Sequence, residues 1–139
     1  MPGGQTINSN VRRFTDHWED ANSMKDFQID QESRGAVQII RVAGSLDMYS
    51  FPRLESQLNA LFQQGRFFLV LDCRDLDYIG SAGLGALIGF AKQAREHTGD
   101  LRLLNVPERI YKIIELLGFT KVLRVHQTEE EAVASFQAK

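Results

Sequence analysis

The sequence predicts a single α/β domain built on a mixed, mostly parallel sheet of about five strands with about four helices. Apolar or β-branched runs alternate with amphipathic stretches of helical spacing, in the order ββαβαβαβα. This alternation favours parallel strands joined by right-handed crossovers. The chain has 139 residues, 43% of them hydrophobic, which suits one globular domain with one core.

The first elements are predicted to be a hairpin and a helix. Apolar Phe27 and Ile29 indicate a first strand, and a turn at 33–35 leads into a β-branched strand at 37–42. The helix begins near Pro52, because proline is tolerated in a first helical turn. Its apolar stripe consists of Phe51, Leu54, Leu58, Leu61 and Phe62.

The middle of the chain repeats strand and helix. Residues 67–73 are the clearest buried strand, and a helix over 81–97 leads into a strand at 101–104. Pro107 then begins a further helix. Its expected inward-facing residues are Ile110, Ile113, Ile114 and Leu117.

A last strand and a last helix complete the predicted domain. The strand covers 122–125. Thr128 and Glu131 have the spacing of a capping box, which predicts the start of a helix that carries Val133 and Phe136.

The first two dozen residues differ from the rest, so we divide the chain into an extension at 1–24 and a domain at 25–139. The extension is polar but contains an apolar stripe of Ile7, Val11, Phe14, Trp18 and Ala21. Their spacing of 4, 3, 4, 3 is that of an amphipathic helix. Three alternatives stay open: a tail with accidental spacing, a short helix that docks on its own domain, or one that pairs two copies as a homodimer.

Composition excludes several classes of function. With 16 Lys and Arg against 18 Asp and Glu, the net charge is −2, which argues against direct nucleic-acid binding. We expect no membrane insertion, since no apolar run approaches the roughly 18 residues that span a bilayer. Three His and one Cys do not suit a Cys-rich zinc site, and we expect no cofactor. The lone Cys73 favours a cytoplasmic location.

A glycine-rich loop after the buried strand is the most informative segment. It runs over 77–89 and places Ser81 at an expected helix N-cap. Ligand and switch sites of open α/β sheets collect at such carboxyl ends of strands. A glycine inside a helix costs about 1 kcal/mol relative to alanine, so Gly85 and Gly89 would permit close approach of a partner or of the sheet. The alternative is tight helix–sheet packing with a capping serine.

The loop fits none of three known motifs for nucleotide binding or catalysis. A Walker loop requires a lysine that is absent here, and Gly80, Gly83 and Gly85 stand in the wrong order for a dinucleotide fingerprint. A nucleophile elbow requires G-x-S-x-G, whereas Gly80 directly precedes Ser81. The candidate bases, none within a motif, are His17, His97 and His126.

Asp47 is a second candidate site residue, located between the second strand and the first helix. If the sheet is parallel at this point, Asp47 lies at the same edge as Ser81. Its carboxylate would either cap backbone N–H groups of the helix or bond a nearby hydroxyl.

Three segments of the chain resemble the STAS domain, and most closely the bacterial anti-sigma factor antagonists. They are Gly44–Asp47 (GSLD), Phe68–Asp72 (FLVLD) and Tyr78–Gly85 (YIGSAGLG). The resemblance extends over about 25–137, with the same order of strands and helices. It implies a non-enzymatic regulator of sigma-factor-dependent transcription that acts by partner switching.

The resemblance also implies partners and residue roles. The unphosphorylated antagonist binds a serine-kinase anti-sigma factor, phosphorylation ends the binding, and a phosphatase restores it. By motif position the phosphorylated residue is Ser81, and Asp47 matches an acidic residue near the kinase contact. Relatives commonly have an acidic residue or a second serine where this chain has Gly80.

The residues expected to bind the partner surround this loop. They are Asp47, Met48, Tyr78, Ile79, Gly80, Ala82, Gly83 and Leu84. For Ile79 and Leu84, a position in the core is an equal alternative. Two other functions keep the fold: a scaffold subunit of a stress-signalling complex, and a soluble subunit of a lipid transporter. An enzyme acting through Ser81 would need a neighbouring base.

Overall fold

A five-stranded sheet forms the centre of the fold, with the strands in the spatial order β1-β2-β3-β4-β5. The structure is a computed structural model and describes residues 27–137. β1 pairs antiparallel with β2, and every later pairing is parallel, so the predicted mixed sheet is confirmed. The strands are β1 (Gln28–Arg34), β2 (Val37–Leu46), β3 (Phe68–Ile79), β4 (Asp100–Leu104) and β5 (Val125–His126).

Helices cover both faces of this sheet. They are α1 (Phe51–Gln63), α2 (Ser81–Arg95), α3 (Glu108–Leu116) and α4 (Glu129–Ser135). The first three pack on one face in the larger apolar cluster, and α4 packs on the other face in a smaller one. The side chain of Thr128 accepts from the backbone N–H of Glu131, which confirms the predicted start of α4. Across residues 27–137, no helix combines the length and apolar content that crossing a bilayer requires.

The parallel pairing of β2 with β3 is longer than the sequence predicts. It continues past two irregularities in register and ends with Leu46 opposite Ile79. The prediction ended β3 at Cys73 because the residues that follow are mainly polar. In the structure the polar residues after Cys73 are exposed, whereas Leu76 and Ile79 stay buried and continue the strand.

The segment between α3 and α4 corrects two predictions. Ile113 and Leu117 are 39% and 54% exposed, whereas Ile110 and Ile114 are the buried residues of α3. The helix ends at Leu116, and a 3₁₀ turn over Phe119–Lys121 follows. That turn brings Leu123 into the core at 0% exposure, so Leu117 is not needed there. The turn also leaves β5 at 125–126 instead of 122–125.

Gly83 sets how closely α2 approaches β2. A Cβ atom built at Gly83 would lie 2.5 Å from the carbonyl oxygen of Leu46 and 2.9 Å from its Cγ. Real Cβ atoms do not tolerate such contacts, so the helix reaches its position only with glycine at this point. Close helix–sheet packing is therefore the role of Gly83.

We expect Gly83→Ala to destabilise the domain by about 1–3 kcal/mol, because α2 must move away from a backbone carbonyl that cannot yield. Urea unfolding monitored by circular dichroism measures the change. The matched control is Gly85→Ala in the same helix, where a Cβ atom meets nothing within 4 Å. This control should gain about 0.5–1 kcal/mol. Equal stability of the two variants would contradict the role given to Gly83.

Candidate functional site

The ends of β2 and β3 bring the two candidate segments together. The backbone N–H of Gly80 donates to the carbonyl oxygen of Leu46 at 2.9 Å, just beyond the last paired residues of the two strands. A Cβ atom at Gly80 would lie 3.6 Å from the Cβ of Asp47. The structure therefore confirms that Asp47 lies at the same edge of the sheet as the start of α2.

Ser81 is the first residue of α2 and is exposed. The N-cap is Gly80, in an extended conformation, and no side chain caps this helix. The expectation that Ser81 is the N-cap is therefore wrong by one residue. The first intrahelical bond runs from the N–H of Leu84 to the carbonyl oxygen of Gly80, at 2.9 Å. The N–H groups before Leu84 have no acceptor within the helix, and they make this end favourable for negative charge.

Asp47 holds the loop before α1 in place. Its Oδ1 accepts from the backbone N–H groups of Tyr49 at 2.9 Å and Ser50 at 3.1 Å. The Ser50 hydroxyl lies 3.2 Å from the same oxygen and donates to the carbonyl oxygen of Ser45 at 2.6 Å. Of the two sequence alternatives, the bond to a nearby hydroxyl, that of Ser50, is observed. The carboxylate also accepts from backbone N–H groups of the loop before α1, whereas no side chain caps the helix itself.

Three large side chains stand exposed around this edge. Met48 is 62% exposed, Tyr49 is 83% exposed and Tyr78 is 54% exposed. We call Met48, Tyr49, Tyr78, Gly80 and Ser81 together the switch surface. The sequence analysis missed Tyr49, because a loop tyrosine carries no periodicity that shows whether it faces the solvent or the core.

Three residues expected to bind the partner lie in the core. Ile79 is 6% exposed and Leu84 is 4% exposed, so the core alternative is the one observed for both. Gly83 is buried against Leu46. Since buried residues offer no accessible surface to a partner, these three residues support the site from within the core. Ala82 is half-buried and lines a groove between α1 and α2.

Arg109 brings a positive charge to the same edge from α3. Its guanidinium donates to the backbone carbonyl oxygen of Asp77, near the end of β3. Sequence analysis could not find this contact, because an arginine in the first turn of a helix shows nothing about which strand it reaches.

The comparisons with known proteins agree with this fold. The family model of the STAS domain matches residues 28–132. The chain belongs to the STAS domain family. An anti-sigma-B factor antagonist of Staphylococcus aureus is 30% identical to this STAS protein over 91 residues, covering 66% of this chain and 84% of the relative. The anti-sigma-B factor antagonist of Bacillus subtilis is 30% identical over 94 residues, covering 68% and 85%.

Solved structures share the STAS fold. An anti-sigma factor antagonist from Mycobacterium paratuberculosis superposes with a TM-score of 0.74 at 23% identity, covering 82% of this chain and 97% of that one. The antagonist SpoIIAA in its unphosphorylated form gives 0.63 at 22% identity, covering 82% and 100%. The phosphorylated form of SpoIIAA, from Bacillus, gives 0.61 at 23% identity, covering 79% and 98%.

The geometry of this STAS domain does not pair Ser81 with either histidine of the described residues. His97 follows the far end of α2, about 24 Å along the helix axis from Ser81, and its ring stacks on Phe67 at 4.1 Å. His126 lies on β5, two strands from β3, with Nδ1 3.5 Å from a carboxylate oxygen of Glu131. These positions argue against a serine nucleophile activated by histidine. His17 lies outside the described residues.

Cys73 is likewise unsuited to nucleophilic chemistry. Burial, with a smaller contribution from the charge of Asp72, raises the pKa of the Cys73 thiol to about 12. The thiol is 2% exposed and therefore stays protonated inside the core near neutral pH.

Gly85 and Gly89 do not serve the sheet packing that the sequence analysis allowed for them. Both are exposed, and a Cβ atom at either position would meet nothing within 4 Å. Of the two alternatives, approach to the sheet is therefore wrong for both residues.

We expect Asp47→Ala to lower the free energy of unfolding by about 1 kcal/mol, since the N–H groups of Tyr49 and Ser50 lose their acceptor. Asp47→Asn keeps an acceptor oxygen and should cost less. The matched control is Asp77→Ala, an exposed acid at the same edge that contributes its backbone carbonyl to the contact with Arg109. Urea unfolding measures all three variants. If Asp47→Ala were as stable as Asp77→Ala, the Asp47 carboxylate would not stabilise the loop before α1.

Proposed function

We propose that this STAS protein is an anti-sigma factor antagonist that binds a serine-kinase anti-sigma factor while Ser81 is unphosphorylated and releases it once Ser81 is phosphorylated. The observation that carries the proposal is the position of Ser81: exposed, first in α2, and surrounded by the exposed side chains of the switch surface. The relatives that are 30% identical are named anti-sigma-B factor antagonists, which supports the same role here.

We expect the domain to tolerate phosphorylation of Ser81. A phosphate adds a charge of about −1.5 to −2. At Ser81 that charge would meet the N–H groups and the positive dipole end of a 15-residue helix that has no acidic residue in its first turn. The nearby carboxylate of Asp47 is already engaged by two backbone N–H groups. We therefore expect the phosphorylated domain to stay folded.

The partner interface does not tolerate the same charge. Binding through Met48, Tyr49 and Tyr78 requires that water leave a largely apolar surface. A dianion in the middle of that surface must be desolvated or paired, which costs several kcal/mol. Since about 1.4 kcal/mol is already a tenfold change in affinity, switching requires no large conformational change.

The backbone before Ser81 offers a kinase an uncovered approach. Gly80 has φ −91° and ψ 175°, an extended conformation open to any residue. A Cβ atom there would touch Tyr78 at 3.5 Å and the Cβ of Asp47 at 3.6 Å, both ordinary van der Waals distances. A phosphatase that acts on phosphorylated Ser81 would complete the cycle of binding and release. We place this cycle in the cytoplasm, because transcription takes place there.

Substitutions of Ser81 test the charge mechanism directly. We expect Ser81→Ala to bind the cognate serine-kinase anti-sigma factor like the unmodified chain, and Ser81→Glu to bind at least about tenfold more weakly. Isothermal titration calorimetry gives both affinities. The matched control is Gln93→Glu, which adds one negative charge to an exposed position of α2 about 18 Å along the helix from Ser81. Equal affinities of Ser81→Ala and Ser81→Glu would refute control by charge at Ser81.

The two tyrosines of the switch surface test the location of the interface. We expect Tyr49→Ala and Tyr78→Ala each to weaken kinase binding by about fivefold or more, because exposed aromatic residues are typical anchors of interfaces. Their unfolding free energies should hardly change, since both side chains are exposed. Leu116→Ala is the control, an 86% exposed apolar residue on α3. A loss of affinity in the Leu116→Ala variant alone would place the interface elsewhere.

A further inference from the structure

An apolar groove runs between α1 and α2. It has a volume of about 380 Å³, and its wall and floor are mainly aromatic rings and very small side chains. These lining residues are Phe51, Ala82, Ala86, Gly89 and Phe90, and the polar side chains of Glu55 and Gln93 also line the groove. Phe51 and Ala86 pack against the main core but stay partly exposed. Within residues 27–137, no segment covers this groove.

Gly89 leaves open space on the groove side of α2. The residue lies inside α2, where glycine costs about 1 kcal/mol relative to alanine. A Cβ atom at this position would meet nothing within 4 Å among the described residues. The packing seen in the structure therefore gives no reason for glycine, whereas a segment seated in the groove would.

The chain enters the domain at the edge of the sheet where α1 begins. Phe27 is buried, and its carbonyl oxygen accepts a hydrogen bond from the guanidinium of Arg53 on α1. β1 starts with Gln28 opposite Ala43, near the carboxyl end of β2. Since α1 and α2 also begin at this edge, the first described residue lies at the same edge as Phe51 and Ala82, which line the groove.

The dimensions of the extension fit the groove. A helix over residues 7–21 would be about 22 Å long, enough to cover the roughly 16 Å of α2 from Ala82 to Gln93 that lines the groove. Residues 22–26 would span up to about 18 Å, enough to pass over α1, whose diameter is about 10 Å. The stripe of Ile7, Val11, Phe14, Trp18 and Ala21 supplies an apolar face of the right length.

We propose that residues 7–21 dock as an amphipathic helix in the groove between α1 and α2 of their own domain. An isolated helix of this length is marginal in water, so the groove supplies the partner surface that it needs. A short linker gives an effective concentration on the order of millimolar, which favours the segment of the same chain over that of a second copy. The docking is separate from the role of Ser81 and is tested without a kinase.

Trp18 is the one tryptophan of the sequence and therefore reports on the extension alone. In the full chain we expect the fluorescence emission of Trp18 to be shifted to the blue of a solvent-exposed tryptophan and to be protected from quenching by acrylamide. Gly89→Leu fills the groove and should shift the emission to the red and raise the quenching constant. The unfolding free energy of this variant separates the effect from misfolding, because without a docked segment the added side chain would meet open space.

Gly85→Leu is the matched control, an exposed glycine of the same helix that does not line the groove, and it should leave Trp18 protected. Sedimentation of the full chain should give a monomer at every protein concentration. The Trp18 fluorescence emission should likewise not change with concentration. Exposed Trp18 in the unaltered chain would overturn the proposal. So would protection that survives Gly89→Leu, and so would protection that appears only in a dimer.

Discussion

The parallel pairing of β2 with β3, carried through to its last residues, is the constraint on which the site depends. It ends with Leu46 opposite Ile79, and the bond from the Gly80 N–H to the Leu46 carbonyl extends it one step further. Gly83 then lets α2 rest against the same Leu46 carbonyl. Two segments separated by more than thirty residues of chain are thereby fixed side by side, so neither Asp47 nor Ser81 needs a contact with the other to hold its position.

The two sides of this site do different work. The carboxylate of Asp47 accepts hydrogen bonds from the backbone of its own loop, and this loop holds Met48 and Tyr49 in their exposed positions. Ser81 does not cap its helix, because Gly80 occupies that position. The proposed modification would therefore remove no hydrogen bond on which α2 depends. Under this proposal the fold would bear the added charge at a helix N-terminus, and the effect would fall on binding.

Sequence patterns predicted the parts of the fold that rest on local chemistry. Proline near the start of α1, the capping box of α4 and the apolar run of β3 each act over a few residues, and each prediction is confirmed. The errors occur where distant segments compete for one place. Leu117 was expected inside, but Leu123 fills the core beyond α3. Likewise, glycine content could not show that Gly83 touches the sheet while Gly85 does not, because only the neighbours of each Cβ position decide this.

The sequence by itself determined the class of fold, the adjacency of Asp47 and Ser81 and the resemblance to STAS antagonists, because strand order and local motifs imply these features directly. The tertiary structure decided which residues a partner can touch. It placed Ile79 and Leu84 in the core, exposed Tyr49, and brought Arg109 to the end of β3. Exposure depends on how separate elements pack against one another, and no stretch of sequence contains that information alone.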